Sequence, residues 1–340
     1  MATMRDVAQR ANVSIATVSF VVNQTKRVAP ETRARIVSAM DELGYRRNIV
    51  ARALASRRTR IIALLFPALD HRLGSTALSF VTSAASTASA RGYHLVLWPI
   101  SNDADQVTEL VAGGLVDGVL LMEVQLDDAR VDRLVESGTP FAMIGRTRDP
   151  SGLPFVDMDF ERTVEDALDY VTSLGHERIA LVVERLDSSM TGYGPLVRTE
   201  ESYRRRMVDR GFDPVVVICE ESPAGGRSAA AELLSRAPDT TAVLVLNEDA
   251  AHGLTSGLLR AGRRIPDDVS ILSLATSAEM GAMADPVLTV MSAPGVELGR
   301  LGVEALIDRL DGTSAGLPQV LLACPLQIGE STGPVFARPA

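Results

Sequence analysis

The sequence predicts a small all-α N-terminal domain followed by a larger α/β body of two doubly wound parallel-sheet lobes. Three observations lead there. Residues 1–60 carry twelve basic against four acidic residues, a net of +8, while the whole 340-residue chain is −9 and the remainder therefore −17. The same sixty residues break into short, capped stretches with apolar residues at helical spacing. From residue 61 onward, strand-like apolar runs alternate with amphipathic helix-like stretches, and the pattern restarts at Gly175.

Composition narrows the class. Hydrophobic residues make up 46% and charged residues 23%, which excludes general disorder. No apolar run is long enough to span a bilayer. The stretch Leu73 to Ala90 is uncharged but holds eight Ser and Thr, so it reads as a helix of a soluble protein. Met1 to Asp6 leads into no apolar h-region, so no secretory signal is expected and a cytoplasmic address is. Cys219 and Cys324 sit in strand-like runs and read as buried small side chains rather than a disulfide. A basic head on an acidic body fits a head that binds nucleic acid and a body that does not.

The elements of the head follow in order. Thr3 with Asp6 forms a variant capping box for a first helix. Its Met4, Val7, Ala8 and Ala11 share one face. Asn12-Val13 interrupts, with Val13 plugging the corner. Ser14 caps a second helix from Ile15 to Asn23. Two short helices across so tight a turn form a helix-turn-helix. A third helix starts at Pro30 and ends at Gly44 as a left-handed cap, with Ile36, Val37, Met40 and Leu43 as its buried face.

The spacing of D-V-A (Asp6–Ala8), V-S-x-x-T-V-S (Val13–Ser19), V-N, V-x-x-x-T-R (Val28–Arg33), L-G-Y (Leu43–Tyr45), Asn48 and A-x-x-L-A (Ala51–Ala55) resembles the N-terminal segment of the LacI/GalR family of bacterial transcription regulators. The resemblance implies that the second helix enters the major groove, with Ile15 and Ala16 facing base edges. Both are apolar, so they can meet a thymine methyl but cannot form bidentate hydrogen bonds. Phe20 stands where the family usually has an arginine, which removes a guanine contact. Thr17, Ser19, Asn23, Arg27, Thr32 and Asn48 match phosphate-holding positions, which fix register without reading sequence. By the same resemblance, residues 48–60 are a hinge helix and linker. Leu54, with Ala55, would wedge into the minor groove beside the dimer mate, because eight or nine residues cannot hold a helix alone.

In the body, strand-like runs fall at residues 61–66, 93–98, 118–122, 141–144, 179–183, 215–219, 242–246, 270–274 and 287–290. Helix-like stretches fall at 75–91, 161–174, 201–210, 227–236 and 248–261. Residues 61–333 suit two Rossmann-like lobes, and the resemblance implies the type I periplasmic-binding-protein fold. Lobe 1 would take about 61–158 and 290–318, lobe 2 about 159–289 and 319–333, and 334–340 would form a tail. The chain would cross between lobes near Asp157–Asp159, Val290 and Pro318. Small uncharged side chains on the helix at 75–90 suit either a dimer interface or packing within the lobe.

Ligands of such folds sit between the lobes at the carboxyl ends of strands. The expected effector contacts are Phe66, His71, Ser75, Glu123, Arg146, Arg198, Asn247 and Ala275, with Met122 beside them. Asn247 matches a family position best. Arg198 is one residue out of register, since the spacing from Tyr203 points to Thr199. Where sugar-binding members carry G-Y-D-D, this chain reads Ser273-Leu274-Ala275-Thr276, so Ala275 replaces the sugar-binding aspartate.

No phosphate loop, no Cys/His metal spacing and no acid–base pair at a strand end occurs, so no enzyme activity, metal or cofactor is expected. His176 reads as a structural loop residue. The expected function is a sequence-specific DNA-binding regulator, most simply a repressor. It would bind a pseudo-palindromic operator as a homodimer or higher oligomer and respond to a small-molecule effector, a sugar or related metabolite. The competing classes are a solute-binding protein, which has no use for a basic head, and a metabolic enzyme fused to a helix-turn-helix.

Overall fold

The computed structural model describes residues 2–23, 26–45, 58–67, 74–100, 102–186, 190–313 and 316–335, without the side chains of Asn23 and Ser75. The chain divides into two compact units, Met1–Thr59 and Arg60–Ala340.

The first unit holds three helices, α1 (Met4–Ala11), α2 (Ile15–Asn23) and α3 (Pro30–Glu42). The Thr3 hydroxyl accepts the Asp6 N–H at 3.3 Å and the Asp6 carboxylate accepts the Thr3 N–H at 2.8 Å, so the capping box closes in both directions. Asn12 turns the chain with φ 52°. Ser14 Oγ accepts the Thr17 N–H at 3.1 Å and starts α2. Gly44, at φ 60°, follows the end of α3. Val7, Ala8, Ala11, Val18, Val21, Val22, Ile36 and Ala39 close one core, with Val13 packed against it. Two residues assigned to the buried face of α3 are not buried. Val37 is 45% and Leu43 38% exposed, because Ile36, Ala39 and Met40 already fill the stripe facing α1 and α2.

The second unit is two six-stranded sheets. The first has the order β11-β5-β4-β3-β1-β2, from β1 (Ile61–Leu65), β2 (His94–Trp98), β3 (Gly118–Leu121), β4 (Phe141–Ile144), β5 (Phe155–Met158) and β11 (Gln319–Leu322), all paired in parallel. The second has the order β12-β10-β9-β8-β6-β7, from β6 (Ile179–Glu184), β7 (Val215–Cys219), β8 (Ala242–Val245), β9 (Ser270–Thr276), β10 (Thr289–Ser292) and β12 (Leu326–Gln327). Only β12 is antiparallel to its neighbour. The central strands β1, β3, β4, β6 and β8 are buried almost throughout, as expected of sheets covered on both faces.

Helices α4 (Ser75–Ala90), α5 (Ala104–Ala112), α6 (Ala129–Ser137) and α12 (Gly295–Asp311) cover the first sheet. The second is covered by α7 (Phe160–Ser173), α8 (Gly194–Asp209), α9 (Pro223–Arg236), α10 (Glu248–Arg260) and the short α11 (Ala278–Ala282). One face of α4 packs within its lobe against α12. A Cβ on Gly299 would stand 2.4 Å from the Phe80 carbonyl oxygen, so only glycine permits this approach. Two expected crossings fall later than the sequence suggested. Residues 289–292 pair in the second sheet and 319–322 in the first, because strand pairing decides which lobe each segment joins. Cys219 and Cys324 are free and buried. His176 is pinned between Thr241 Oγ1 and the Gly333 carbonyl, each at 3.0 Å, which is a structural role.

Candidate functional site

In the first unit, α2 turns Ile15, 45% exposed, and Ala16 to solvent. Thr17, Ser19 and Phe20 are half-buried on its flank, and the Thr17 hydroxyl bonds Ser14 Oγ at 2.8 Å. The Lys26 ammonium lies 5.0 Å from the centroid of the Phe20 ring. Lys26, the sole lysine of the chain, thereby holds a positive charge beside α2 through a cation–π contact. Arg27 is exposed and Thr32 half-buried. Asn48, Leu54, Ala55 and His71 lie outside the described residues, as do the side chains of Asn23 and Ser75.

In the second unit a cavity of about 700 Å³ opens between the two sheets at the carboxyl ends of their strands. Of the expected effector residues, Phe66, Glu123, Asn247 and Ala275 line it, with Met122. Glu123 and Ala275 both have left-handed backbone, φ 52° and 51°. Such strain in non-glycine residues costs of order 1–3 kcal/mol and clusters at binding sites. Asn247 is 5% exposed. Its Oδ1 caps α10 by accepting the Ala250 N–H at 2.8 Å, and its Nδ2 donates to Glu184 Oε2 at 3.1 Å.

The two arginines expected there do not line the cavity. Arg146 lies behind its wall, donating to Asp157 Oδ2 at 3.1 Å and to both Glu161 oxygens at 2.8 Å. Arg198 donates to the carbonyls of Arg146 and Thr147, each at 3.0 Å, and so ties the lobes together. Carboxylates pair the Arg146 guanidinium, whereas Arg198 spends its Nη2 on the two carbonyls and its buried Nη1 has no hydrogen-bond partner among the described residues. Thr199 is fully buried, away from the cavity.

The cavity also holds residues that the sequence reading missed. Asp157, Glu184, Glu220, Glu221, Glu248 and Tyr193 all line it. Burial pushes Glu184 up to about 7, aided by the neighbouring Glu221 and Glu123 carboxylates, while the Asn247 hydrogen bond pulls it down. Burial likewise raises Asp157 to about 7 against the pull of Arg146. The Tyr193 hydroxyl is pushed well above its usual range by burial and the surrounding carboxylates. Glu184, Glu220 and Glu221 stand at or just after the ends of β6 and β7, the positional signal that identified Glu123 and Asn247.

The lobes touch at two edges of the cavity. At one, the Thr76 hydroxyl donates to Glu248 Oε2 at 2.6 Å and accepts the Ser277 N–H at 3.0 Å. At the other, the Leu126 N–H donates to the Gly192 carbonyl at 2.7 Å and the Gly194 N–H to the Val124 carbonyl at 3.2 Å. Among the described residues no helix is long and apolar enough to cross a membrane, and no group of three His, Cys, Asp or Glu side chains is placed to hold a metal.

Residues 3–48 match the family described as bacterial regulatory proteins, lacI family, and 168–332 match the periplasmic binding protein-like domain. The HTH-type transcriptional regulator CelR of Thermobifida fusca is 30% identical over 97% of this chain and 98% of its own. Catabolite control protein A of Priestia megaterium is 26% identical over 97% and 99%. Among solved structures, a CelR–cellobiose complex superposes with TM-score 0.69 at 28% identity, covering 97% of this chain and 100% of that one. The lac repressor dimer bound to operator and an anti-inducer shares the fold, at TM-score 0.82 and 24% identity over 98% and 99%. With a full-length relative at that identity, a matching head and a matching body, the chain belongs to the LacI family of bacterial regulatory proteins.

Proposed function

We propose that this protein is a repressor of transcription that works in the cytoplasm and is governed by a small metabolite bound between its lobes. Residues 1–47 read a pseudo-palindromic operator, 48–60 form the hinge and linker, 61–333 bind the ligand and dimerise, and 334–340 are a tail. On this reading the protein performs no catalysis. The observation that carries it is the cleft between two lobes that hydrogen-bond to each other across its edges, in a chain whose first unit leaves Ile15 and Ala16 open to solvent. The CelR–cellobiose complex and the operator-bound lac repressor support the two ligand classes, a saccharide-like metabolite and duplex DNA.

Ile15 and Ala16 meet base edges; Thr17, Ser19, Asn23, Arg27, Thr32 and Asn48 hold phosphates; Leu54 and Ala55 enter the minor groove. Phe66, His71, Ser75, Glu123, Asn247 and Ala275 face the effector. Homodimerisation is supported by exposed apolar side chains on adjacent elements, Leu78 on α4 and Val96 and Leu97 on the edge strand β2.

The test is selection of random duplex DNA by the purified full chain, followed by binding as a function of salt. A two-fold symmetric site is expected. With about eight phosphates neutralised, the log–log salt slope is roughly −7. Leu54→Ala should lower specific affinity and DNA bending together. Selection of no common sequence, or a salt-independent affinity, would refute the reading.

A further inference from the structure

We infer that Phe20 and Lys26 act as one unit in DNA binding: Lys26 holds a backbone phosphate, and Phe20 is the positioning residue that keeps its ammonium beside the exposed face of α2. The inference rests on the first unit being the DNA-binding head and adds this pair to its phosphate-holding residues.

The Phe20 ring does not serve the core of the head. That core is closed by side chains from all three helices, with Val13, Val28 and Tyr45 packed against it, and Phe20 is in neither group. The ring is nonetheless half-buried. What lies over it is Lys26, whose ammonium is 5.0 Å from the ring centroid. Phe20 stands four residues after Ala16, so the two share a face of α2. Ala16 is open to solvent on that face. The ammonium is therefore placed one turn beyond Ala16. A helix whose first residues meet base edges in the major groove has phosphates along its flanks, within reach of a cation held there.

The charge that Lys26 brings is not cancelled locally. Helix α2 has no charged residue, and no Asp or Glu occurs between Asn12 and Pro30. Lys26 forms no ion pair among the described residues. Arg10, by contrast, is answered by Glu42. A carboxylate partner neutralises a cation, whereas an aromatic face attracts it through the ring quadrupole and leaves the full positive charge. Lys26 is exposed, so the side of the ammonium away from the ring is open.

The ring also orders the side chain in advance. A lysine has a long flexible stem, and immobilising such a stem on binding costs entropy. Resting on Phe20, it is partly ordered before DNA arrives. An ammonium is a point charge with rotatable donors, and a ring face sets its place without setting their directions. That combination suits a phosphate better than the fixed pattern of a base edge.

The experiment uses the full chain and the duplex that the parent selects from random DNA, with binding read by fluorescence anisotropy at several salt concentrations. Lys26→Gln should reduce the magnitude of the log–log salt slope by about 1.8 for two heads, from about 0.9 per phosphate. Between about 50 and 200 mM salt the parent should then lose roughly tenfold more affinity than this variant. Reselection with Lys26→Gln should return the same sequence. Phe20→Leu should weaken binding by roughly five- to thirtyfold for two heads, the effect of losing the ring contact in each. The same change made in Lys26→Gln should cost less than twofold, because the lysine it positions is gone. Phe20→Trp, which offers a better face to the cation, should stay within threefold of the parent.

Equal losses from Phe20→Leu with and without Lys26 would mean that the ring meets DNA or supports the head directly, and would overturn the pairing. So would a Phe20→Trp protein as weak as Phe20→Leu. Relaxed preference at one base pair in Lys26→Gln would make the lysine a base reader and overturn the phosphate assignment, as would an unchanged salt slope. A parent that selects no sequence and binds DNA independently of salt would instead count against the DNA-binding head itself, and the pairing would fall with it.

Discussion

Glu184 is the residue on which the acidity of the cavity can be measured without knowing the ligand. Its carboxyl ends β6 and receives the Asn247 amide at 3.1 Å. Around it stand Glu221 beyond β7, Glu123 beyond β3, Tyr193 before α8, the Cys219 thiol of β7, and Arg185, itself paired with Glu220. Burial lifts its pKa from 4.5 to about 7. At about 1.4 kcal/mol per pH unit, that displacement corresponds to roughly 3 kcal/mol disfavouring the ionised form in the folded protein. A carboxyl raised in the folded state contributes stability that is fully present below pH 4.5 and lost as pH climbs through 7. Glu184→Gln keeps the shape and the acceptor for Asn247 but never ionises. The variant should therefore match the parent near pH 4.5 and exceed it by up to about 3 kcal/mol at pH 8. Parallel urea titrations at half-unit steps between pH 4.5 and 8 measure the difference, and Asp157, common to both proteins, cancels. A difference that stays flat across that window would refute the reasoning, because it would mean that Glu184 ionises as easily folded as unfolded.

Three further outcomes are expected. Arg146→Ala leaves Asp157 buried without its counter-ion, so stability should fall by about 3–5 kcal/mol in chemical denaturation. Gly299→Ala places a methyl group 2.4 Å from the Phe80 carbonyl oxygen and must part α4 from α12; a loss of about 1–3 kcal/mol should appear in melts. Phe20→Arg exchanges an apolar ring carrying Lys26 for a bidentate donor. Selected DNA should then gain a preference for guanine of about 1–3 kcal/mol at one position of each half-site.

Much of this architecture was legible in the sequence because its signals are local. Capping at Thr3 and Ser14 and the starting Pro30 are dictated by the backbone groups that a helix end leaves open, and each was found where the residues indicated. Short, β-branched apolar runs such as Ile179–Val183 suit strands covered on both sides. Strand β5 was not legible: Phe-Val-Asp-Met carries a charge in its middle, which the Arg146 guanidinium, eleven residues back, and the Met158 N–H make tolerable. The same omission explains the misplaced arginine. Standing after a strand brings a side chain toward the cleft, but whether it faces ligand or protein depends on a partner. One partner of Arg146, Asp157, lay in the strand that went unread. Conversely, β6 and β7 were read correctly, and the position rule applied to their ends points to Glu184, Glu220 and Glu221.

The contacts between the lobes carry a consequence for regulation. Thr76 lines the cavity and also binds the opposite lobe, through Glu248 and the Ser277 N–H. Glu248, its acceptor, is itself cavity wall. A ligand that donates a hydrogen bond at that edge competes with the Thr76 hydroxyl for the same carboxylate, so ligand binding and this lobe contact are not independent. The competition has a definite sign: a ligand that captures Glu248 weakens the Thr76 tether, whereas one that stays near Glu184 leaves it intact and adds its own bridge between lobes. A differential affinity of about 2.7 kcal/mol between the two lobe arrangements would change their ratio roughly 100-fold, enough to switch a DNA-binding state. Thr76→Val, which keeps the shape and removes the hydroxyl, separates the two cases. If ligand capture of Glu248 drives the switch, the variant should bind a ligand of the cavity more tightly than the parent, because the carboxylate is no longer engaged. If the ligand acts as a bridge at Glu184, its affinity should be unchanged or fall, since the arrangement that it bridges has lost a tether. Titration calorimetry of the two proteins with the same ligand at one pH decides between them.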